Sequence, residues 1–309
     1  MQKIYYKAIN FSLFSPTLQE HYKHLIIPSA HSCLSTPPLS PDYLIGIEAR
    51  LDNQQLIGFI LAQTLFESKI AEICSLMVET TFRDRGIGTH LLNFLQETLK
   101  QLNIWALELK YEQANPFTPA LEKILIKLKW PSPRLYLIRC HYDDSANFNP
   151  PWYQNYTPPP LLPGVSLFLW KDLPLNIRDK ILFQIEQGVF FSYLSPFRSE
   201  AILEPLNSFG LVFNQELIAW NITHRIAPDT IRYSSFYIDK NFQSFGYAIW
   251  LLVKSIQLQK EAAVLKAVFE VNYNETYLSW WRFVVKRLVP YADHVEKWNR
   301  VLHLLKQTI

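Results

Sequence analysis

An α/β (α+β) chain made of two similar halves is the fold class this sequence predicts, and three observations predict it. Leu76-Met77-Val78-Glu79-Thr80-Thr81-Phe82-Arg83-Asp84-Arg85-Gly86-Ile87-Gly88-Thr89-His90-Leu91-Leu92 reads as an apolar strand, a basic glycine loop and the first turn of a helix. The same succession of elements returns in the second half of the chain. Between the two copies, Asp143 to Pro163 holds Pro150, Pro151, Pro158, Pro159, Pro160 and Pro163 among Asn and aromatic residues. Such a stretch cannot sustain helix or sheet hydrogen bonding and reads as a stiff linker. The expected division is therefore 1–142, a linker over 143–163, and 164–309.

The elements of the first half follow from hydrophobic periodicity. Ile4 to Ile9 is a short β-like segment, Leu18 to Ile27 has helical apolar spacing, and Pro28 to Asp42 is a Pro- and Ser-rich loop. Tyr43 to Leu51 and Leu56 to Leu65 read as a hairpin closed by Asp52-Asn53-Gln54-Gln55. Ala71 to Val78 is the next strand. The helix from Gly88 to about Leu102 carries Leu91, Leu92, Leu95 and Leu99 as one apolar stripe. Ile104 to Leu109 is a compact apolar strand. A helix over Thr118 to Leu128 starts with Pro119 in its first turn, and Arg134 to Cys140 is expected to close the unit as a strand.

The second half is a copy of the first. Asn53-Gln54-Gln55-Leu56-Ile57-Gly58-Phe59 has its counterpart in Asn214-Gln215-Glu216-Leu217-Ile218-Ala219-Trp220. Val78-Glu79-Thr80-Thr81-Phe82-Arg83-Asp84-Arg85-Gly86-Ile87-Gly88 answers to Ile238-Asp239-Lys240-Asn241-Phe242-Gln243-Ser244-Phe245-Gly246-Tyr247-Ala248, and Glu108-Leu109-Lys110-Tyr111 to Glu270-Val271-Asn272-Tyr273. The three matches keep their order and nearly the same offset, which short apolar runs do not do by chance.

Composition narrows the function classes. Of 309 residues, 49% are hydrophobic and 18% charged, the balance of a packed globular protein. A formal charge of +3 is too slight for a polyanionic partner, so no nucleic acid is expected, and a single anionic cofactor fits better. No run approaches the ~18 to 20 apolar residues of a membrane helix, and the start lacks the apolar core of a signal peptide. Cys33, Cys74 and Cys140 are odd in number and widely spaced, which supports neither a disulfide framework nor a zinc cluster. Reduced thiols and a cytoplasmic location are the expectation. The eight histidines show no metal-ligand spacing, so no metal is expected.

Arg83-Asp84-Arg85-Gly86-Ile87-Gly88 joins a strand to a helix, so backbone N–H groups and the positive end of the helix dipole converge on a site for a phosphate-bearing ligand. The glycines let the backbone turn tightly and approach it, while Arg83 and Arg85 add charge. This loop and Gln243-Ser244-Phe245-Gly246-Tyr247-Ala248 both resemble the signature of the GCN5-related N-acetyltransferase (GNAT) superfamily: Gln or Arg, two residues, Gly, one residue, Gly or Ala. The order of elements in both halves is similar to that of the family, which implies tandem GNAT-like domains, each a mixed, mostly antiparallel sheet flanked by helices.

The resemblance implies an acyltransferase that uses acetyl-CoA or another acyl-CoA and a small-molecule or peptide amine as acceptor. The cofactor loop is then Arg83, Asp84, Arg85, Gly86, Ile87, Gly88 and Thr89. The pantetheine arm would lie between splayed strands at Cys74 to Val78 and Ile104 to Leu109, with a backbone N–H near Met77 or Val78 holding the oxyanion. Asn115 and Asn274 stand where the family places an asparagine that touches this arm, although Asn115 before Pro116 also reads as a loop cap. Gln243, Gly246, Ala248 and Asn274 form the second candidate loop. Glu72 resembles a frequent position of the general base; a solvated strand-end carboxylate is the other reading.

Two departures stand out. The family's tyrosine proton donor falls near Leu125 and near Trp281, neither of which serves, leaving Tyr111, Tyr273 or Tyr277 as substitutes. Arg232 occupies the place of Glu72 in the second half. The second half is therefore expected to lack both proton-transfer groups. A catalytically inactive acyl-CoA-binding or interaction module is the competing expectation. The cluster Phe190-Phe191-Ser192-Tyr193-Leu194 is a candidate substrate wall or a packing cluster, Cys74 a buried strand residue rather than a nucleophile, and Trp280-Trp281-Arg282-Phe283 helix packing.

Overall fold

The structure, a computed structural model, describes residues 3–10, 20–31, 44–52, 54–65, 67–189, 194–275 and 278–305. Phe190 to Tyr193, Tyr277, Cys33 and most of the 28–42 loop lie outside the described residues. The chain divides into two compact units. The first is Met1–Tyr136 together with Trp298–Ile309, and the second is Leu137–Lys297.

The first unit is a sheet of β1 (Ile4–Asn10), β2 (Leu44–Leu51), β3 (Leu56–Leu65), β4 (Ile70–Val78), β5 (Ala106–Glu112) and the Trp298–Leu304 part of the chain's last strand, in that order. Every pairing is antiparallel except β4 with β5, which run parallel. The expected hairpin forms as β2 and β3, with a bulge at Ala49/Arg50. Helix α1 (Ile87–Gln101) lays its stripe on the sheet, and Leu91, Leu92, Leu95 and Leu99 are all fully buried. They meet Ile45, Ile47, Ile57 and Ile60, so the 3.6-residue period of the helix and the two-residue period of the strands put apolar groups face to face. The opposite face of β3 buries Phe59 and Leu61 against Tyr22, Leu25 and Ile26. Burial on both sides is why β3 reads as an almost unbroken apolar run. Helix α2 (Thr118–Lys127) follows β5, with its proline in the first turn as expected.

The second unit repeats the pattern. Its sheet runs β6 (Leu137–Tyr142 of Arg134–Tyr142), β11 (Lys266–Asn272), β10 (Thr230–Ile238), β9 (Glu216–Ala227), β8 (Phe209–Phe213) and β7 (Val165–Leu169), with β10 and β11 the parallel pair. Helix α3 (Leu175–Glu186) buries Ile177 and Ile181 against Trp170, Trp220 and Ile222 on one face. On the other, α4 (Tyr247–Glu261) seats Tyr247 and Leu251 on Phe209 and Leu211. A shorter helix, α5 (Leu278–Arg287), precedes the last strand, β12 (His294–Leu304). Polar groups thread this core: the Asn221 side chain donates to Ser255 Oγ at 2.5 Å, and Ser255 Oγ donates to the Asn207 carbonyl at 2.7 Å.

One expectation about pairing is corrected. β6 does not close the first unit: Leu137–Tyr142 pairs with Asn272–Ala267 of β11 in the second. The strand that completes the first sheet is Trp298–Leu304, antiparallel to Glu112–Ala106 of β5. An ion pair accompanies each placement. Arg139 on β6 meets Glu270 of β11 at 2.7 Å, while Arg300 meets Glu108 of β5. Because the two glutamates are copies of one another, charge alone does not distinguish the two arginine strands. The 143–163 stretch belongs to the second unit by its contacts. Trp152 Nε1 donates to the Arg287 carbonyl at 2.7 Å, and Leu162 N–H donates to Tyr247 Oη at 3.1 Å.

Candidate active sites beside two related glycine loops

Both units carry the same local device. In the first, the parallel pairing runs from Ile70/Ala106 to Ile73/Leu109, and the ends of both strands, Cys74–Val78 and Lys110–Glu112, extend past it. A register shift at Leu61/Ala62 bends β4 where the pairing stops. In the second, pairing runs from Thr230/Lys266 to Tyr233/Phe269, with a shift at Tyr233/Ser235. A bulge locally raises the twist of its strand, so in each unit a slot opens between neighbours.

The glycine loops end at Gly86 and Gly246, with φ of 80° and 77°, a region open to glycine at little cost. Each is the N-cap of a 15-residue helix that has no side-chain cap and no acidic residue in its first turn. Two helix N-termini therefore keep their dipole and their first N–H groups for a ligand. A coenzyme A diphosphate fits this donor set.

In the first loop, Arg83 Nε donates to the Val78 carbonyl at 3.0 Å, with its guanidinium over the Phe117 ring at 4.8 Å. Arg85 donates to the Thr81 carbonyl at 3.1 Å and lies over Phe82. Asp84 and Thr89 lie on the loop and on the first helical turn, while Ile87 is buried in the core. Gly88 has a packing role: a Cβ there would stand 3.0 Å from Ile124 Cδ1, so its missing side chain lets α1 approach α2. Met77 and Val78 are half-buried on opposite faces of β4, against different core clusters.

Two first-unit residues are occupied by their neighbours. Glu72 Oε2 accepts from Lys110 Nζ at 2.9 Å, and Lys110 reaches Glu108 at 2.8 Å. Burial, the largest influence on Lys110, pulls its pKa down, but the hydrogen bonds and charges of Glu108 and Glu72 more than reverse it. The lysine is thus a committed cation, and Glu72 is its partner. A carboxylate so held has one oxygen committed to a neighbour before any acceptor enters. Asn115 is exposed and its Oδ1 accepts from Phe117 N–H at 3.0 Å, the capping role. At the position expected for a tyrosine donor, Leu125 is buried, and Tyr111 Oη donates to Glu122 at 3.0 Å, its pKa pushed up to about 12 chiefly by burial. Tyr273 is exposed beside Trp281.

In the second unit the slot is a cavity of about 320 Å³ that reaches Gln243, Gly246 and Ala248 of the loop, and Asn274. These four residues, grouped from sequence, do converge. Phe236, Trp280 and Phe283 form one wall, with Phe236 stacked on Trp280 at 4.5 Å and Trp280 on Phe283 at 5.1 Å. Leu194, the one described member of the 190–194 cluster, lines it too. No lysine or arginine is among the described lining residues, and Pro159 lies 3.8 Å from where a Gly246 Cβ would be. Charge is the distinguishing feature of the first loop, and a cavity that of the second.

Arg232 does not stand alone in the place of Glu72. Its Nε donates to Ser234 Oγ at 3.0 Å, and the same oxygen lies 2.7 Å from His224 Nδ1. Sequence reasoning missed this cluster because the residues are separated by a turn. The signal lay in the hairpin register, which sets Arg232 opposite His224. Among the described residues no helix is long and apolar enough to cross a membrane, and no group of three His, Cys, Asp or Glu could hold a metal.

With this geometry in hand, the model of the Acetyltransferase (GNAT) family matches residues 10–121. A tandem GNAT protein from the clavulanic acid biosynthesis pathway superimposes with a TM-score of 0.61 at 13% identity, over 99% of this chain and 100% of that one. A GCN5-related N-acetyltransferase from Sphaerobacter thermophilus gives 0.57 at 13% identity, over 98% and 97%. A glucosamine N-acetyltransferase region of a fungal multi-domain GH3 β-N-acetylglucosaminidase gives 0.62 at 12% identity, over 98% of this chain and 38% of that one. At these identities the likeness is one of fold. No curated protein matches the sequence.

Proposed function

We propose that this chain, whose residues 10–121 match the Acetyltransferase (GNAT) family and whose fold is like that of a tandem GNAT protein, is an N-acyltransferase that moves an acetyl group from acetyl-CoA to an amine of a small molecule or peptide. The observation that carries this reading is the second-unit cavity, in which the slot between β10 and β11, the loop at Gln243, Gly246 and Ala248, and Asn274 are continuous. Bound there, the cofactor would supply a thioester, an acyl carbon activated toward a nitrogen nucleophile. The N-terminus of α4 would hold its diphosphate, and the aromatic wall at Trp280 would keep water from the reacting end.

The first loop remains part of the proposal as a second cofactor seat, with Met77, Val78, Arg83, Asp84, Arg85, Gly86, Ile87, Gly88, Thr89 and Asn115 as its residues. Glu72 stays the candidate base of that half. Its ion pair with Lys110 favours a second reading for the first unit alone, that it binds acyl-CoA without turning it over. The duplicated two-part organisation and a cytoplasmic location belong to the same proposal.

Calorimetric titration of acetyl-CoA into the wild-type chain, Gly86→Glu and Gly246→Glu, followed by a free-CoA release assay over a panel of amines, tests it. A carboxylate placed at a diphosphate seat should abolish binding there by charge repulsion. Release lost in Gly246→Glu supports the second unit as the transfer site, and release lost only in Gly86→Glu moves it to the first. No binding by the wild-type chain overturns the proposal.

A further inference from the structure

His224 and Ser234 form a pair that neither the sequence reading nor the family comparison assigns. They sit on β9 and β10, and His224 is 2% exposed. Ser234 Oγ lies 2.7 Å from His224 Nδ1 and accepts from Arg232 Nε–H at 3.0 Å. The serine hydrogen has two acceptors within reach, Nδ1 and the Arg232 carbonyl at 3.3 Å, and the ring nitrogen is the closer. If Nδ1 accepts, the ring proton is on Nε2, a buried nitrogen, and the Arg198 backbone acts on the ring in the sense that favours its charged form.

Ser234 is also on the wall of the second-unit cavity. With Arg232 on one lone pair and its hydrogen toward the imidazole, its oxygen keeps a lone pair for whatever enters. The groups that act on the ring are Arg232 on β10 and Arg198 before Leu203; Arg225, next on β9, is paired with Glu204. Burial first, then Arg232, hold His224 below its ordinary range. It is therefore neutral at pH 7, the form that accepts a proton.

Resting on the acyl-transfer reading, we propose that Ser234 and His224 are the proton-accepting pair of the second unit, serving a primary amine bound in its cavity. Ser234 Oγ takes a proton from the nitrogen while its own passes to Nδ1. The nitrogen keeps the electron pair with which it bonds to the acyl carbon, and the imidazole becomes imidazolium. When the carbon–sulfur bond breaks, that proton returns through the same hydroxyl to the leaving sulfur, so the pair ends as it began. One hydroxyl thereby covers both roles left open in this half by Arg232 and Trp281.

The test uses the full chain with Ser234→Ala and Ser234→Thr. Long-range ¹H–¹⁵N spectra of the histidine rings from pH 5 to 8 read the His224 tautomer, and free-CoA release over the amine panel reads turnover. The expected results are a proton on Nε2, a kcat about 100-fold lower in Ser234→Ala with KM within about 3-fold, and recovery to within about 10-fold in Ser234→Thr. A proton on Nδ1 overturns the pair, as does an unchanged kcat in Ser234→Ala. If no amine is acylated by the wild-type chain, the acyl-transfer reading has failed, and the tautomer still decides the pair. Should Ser234→Ala not fold, the wild-type tautomer and Ser234→Thr decide it.

Discussion

Glu108 is the carboxylate on which the first sheet's last strand depends, and Glu108→Gln isolates its charge. The residue is 6% exposed, 2.8 Å from Lys110 Nζ and in contact with Arg300. Hydrogen bonds to a charged group contribute ~1.5 to 3 kcal/mol, and removing one member of a buried pair costs ~3 to 5 kcal/mol. Two features lower the figure here. Lys110 keeps Glu72 as a partner, and the Arg300 side chain is 50% exposed, where an ion pair contributes at most about 1 kcal/mol. The amide also preserves shape and one acceptor. A loss of about 2 kcal/mol follows, which for a unit of this size lowers Tm by roughly 4 to 8 °C. Urea unfolding followed by tryptophan fluorescence, with amide exchange of β5 and of Trp298–Leu304, measures it. A double-mutant cycle with Arg300→Ala should show coupling of at least ~0.5 kcal/mol. A change below ~0.5 kcal/mol in Glu108→Gln, or exchange that quickens elsewhere and not in these strands, would refute the reasoning.

Further outcomes follow from the same structure. Leu95→Ala removes a fully buried side chain from between α1 and β2–β3 and should cost ~2 to 5 kcal/mol, read by urea unfolding. His224 and His303 both have pKa values lowered first by burial. A depressed folded pKa means the unfolded chain binds the proton more readily, so stability is full above about pH 6.5 and falls as pH drops through the folded values. Thermal melts from pH 7.5 to 5 should show this, with a shallower slope in His303→Gln. Ending the chain after Lys297 removes Val301 and Leu305 from the first core. Exchange should then quicken in β5 while α4 keeps its protection.

What could be read from residues alone was whatever local period or local chemistry encodes. The Leu91, Leu92, Leu95 and Leu99 stripe named its helix and its buried face, because spacing along one helix is a one-dimensional signal. The β2–β3 hairpin and both glycine loops were equally local. Pairings chosen between distant segments were not. Arg139 and Arg300 sit on similar strands and meet copied glutamates, so nothing in either stretch says which it will join. The Glu72–Lys110 ion pair was hidden for the same reason: β4 and β5 meet only across a helix, so a residue read as a base is read without its partner. His224 and Ser234 were closer, ten positions apart, but a cluster that contains Arg232 looks from sequence like the loss of a base.

The placement of the two final strands has a consequence for how this chain can be made and cut. Arg300 and its partner Glu108 are separated by 192 positions, so β5 leaves the ribosome long before the strand that covers its edge. During that interval the first sheet presents an open edge, and the nearest strand able to occupy it is β6. Long-range pairing of this kind slows folding, and an edge held open invites a wrong partner. Fragments 1–142 and 164–309 each carry the other unit's strand and lack their own. A faithful dissection would instead join residues 298–305 behind residue 136, and leave 137–297 as the second piece.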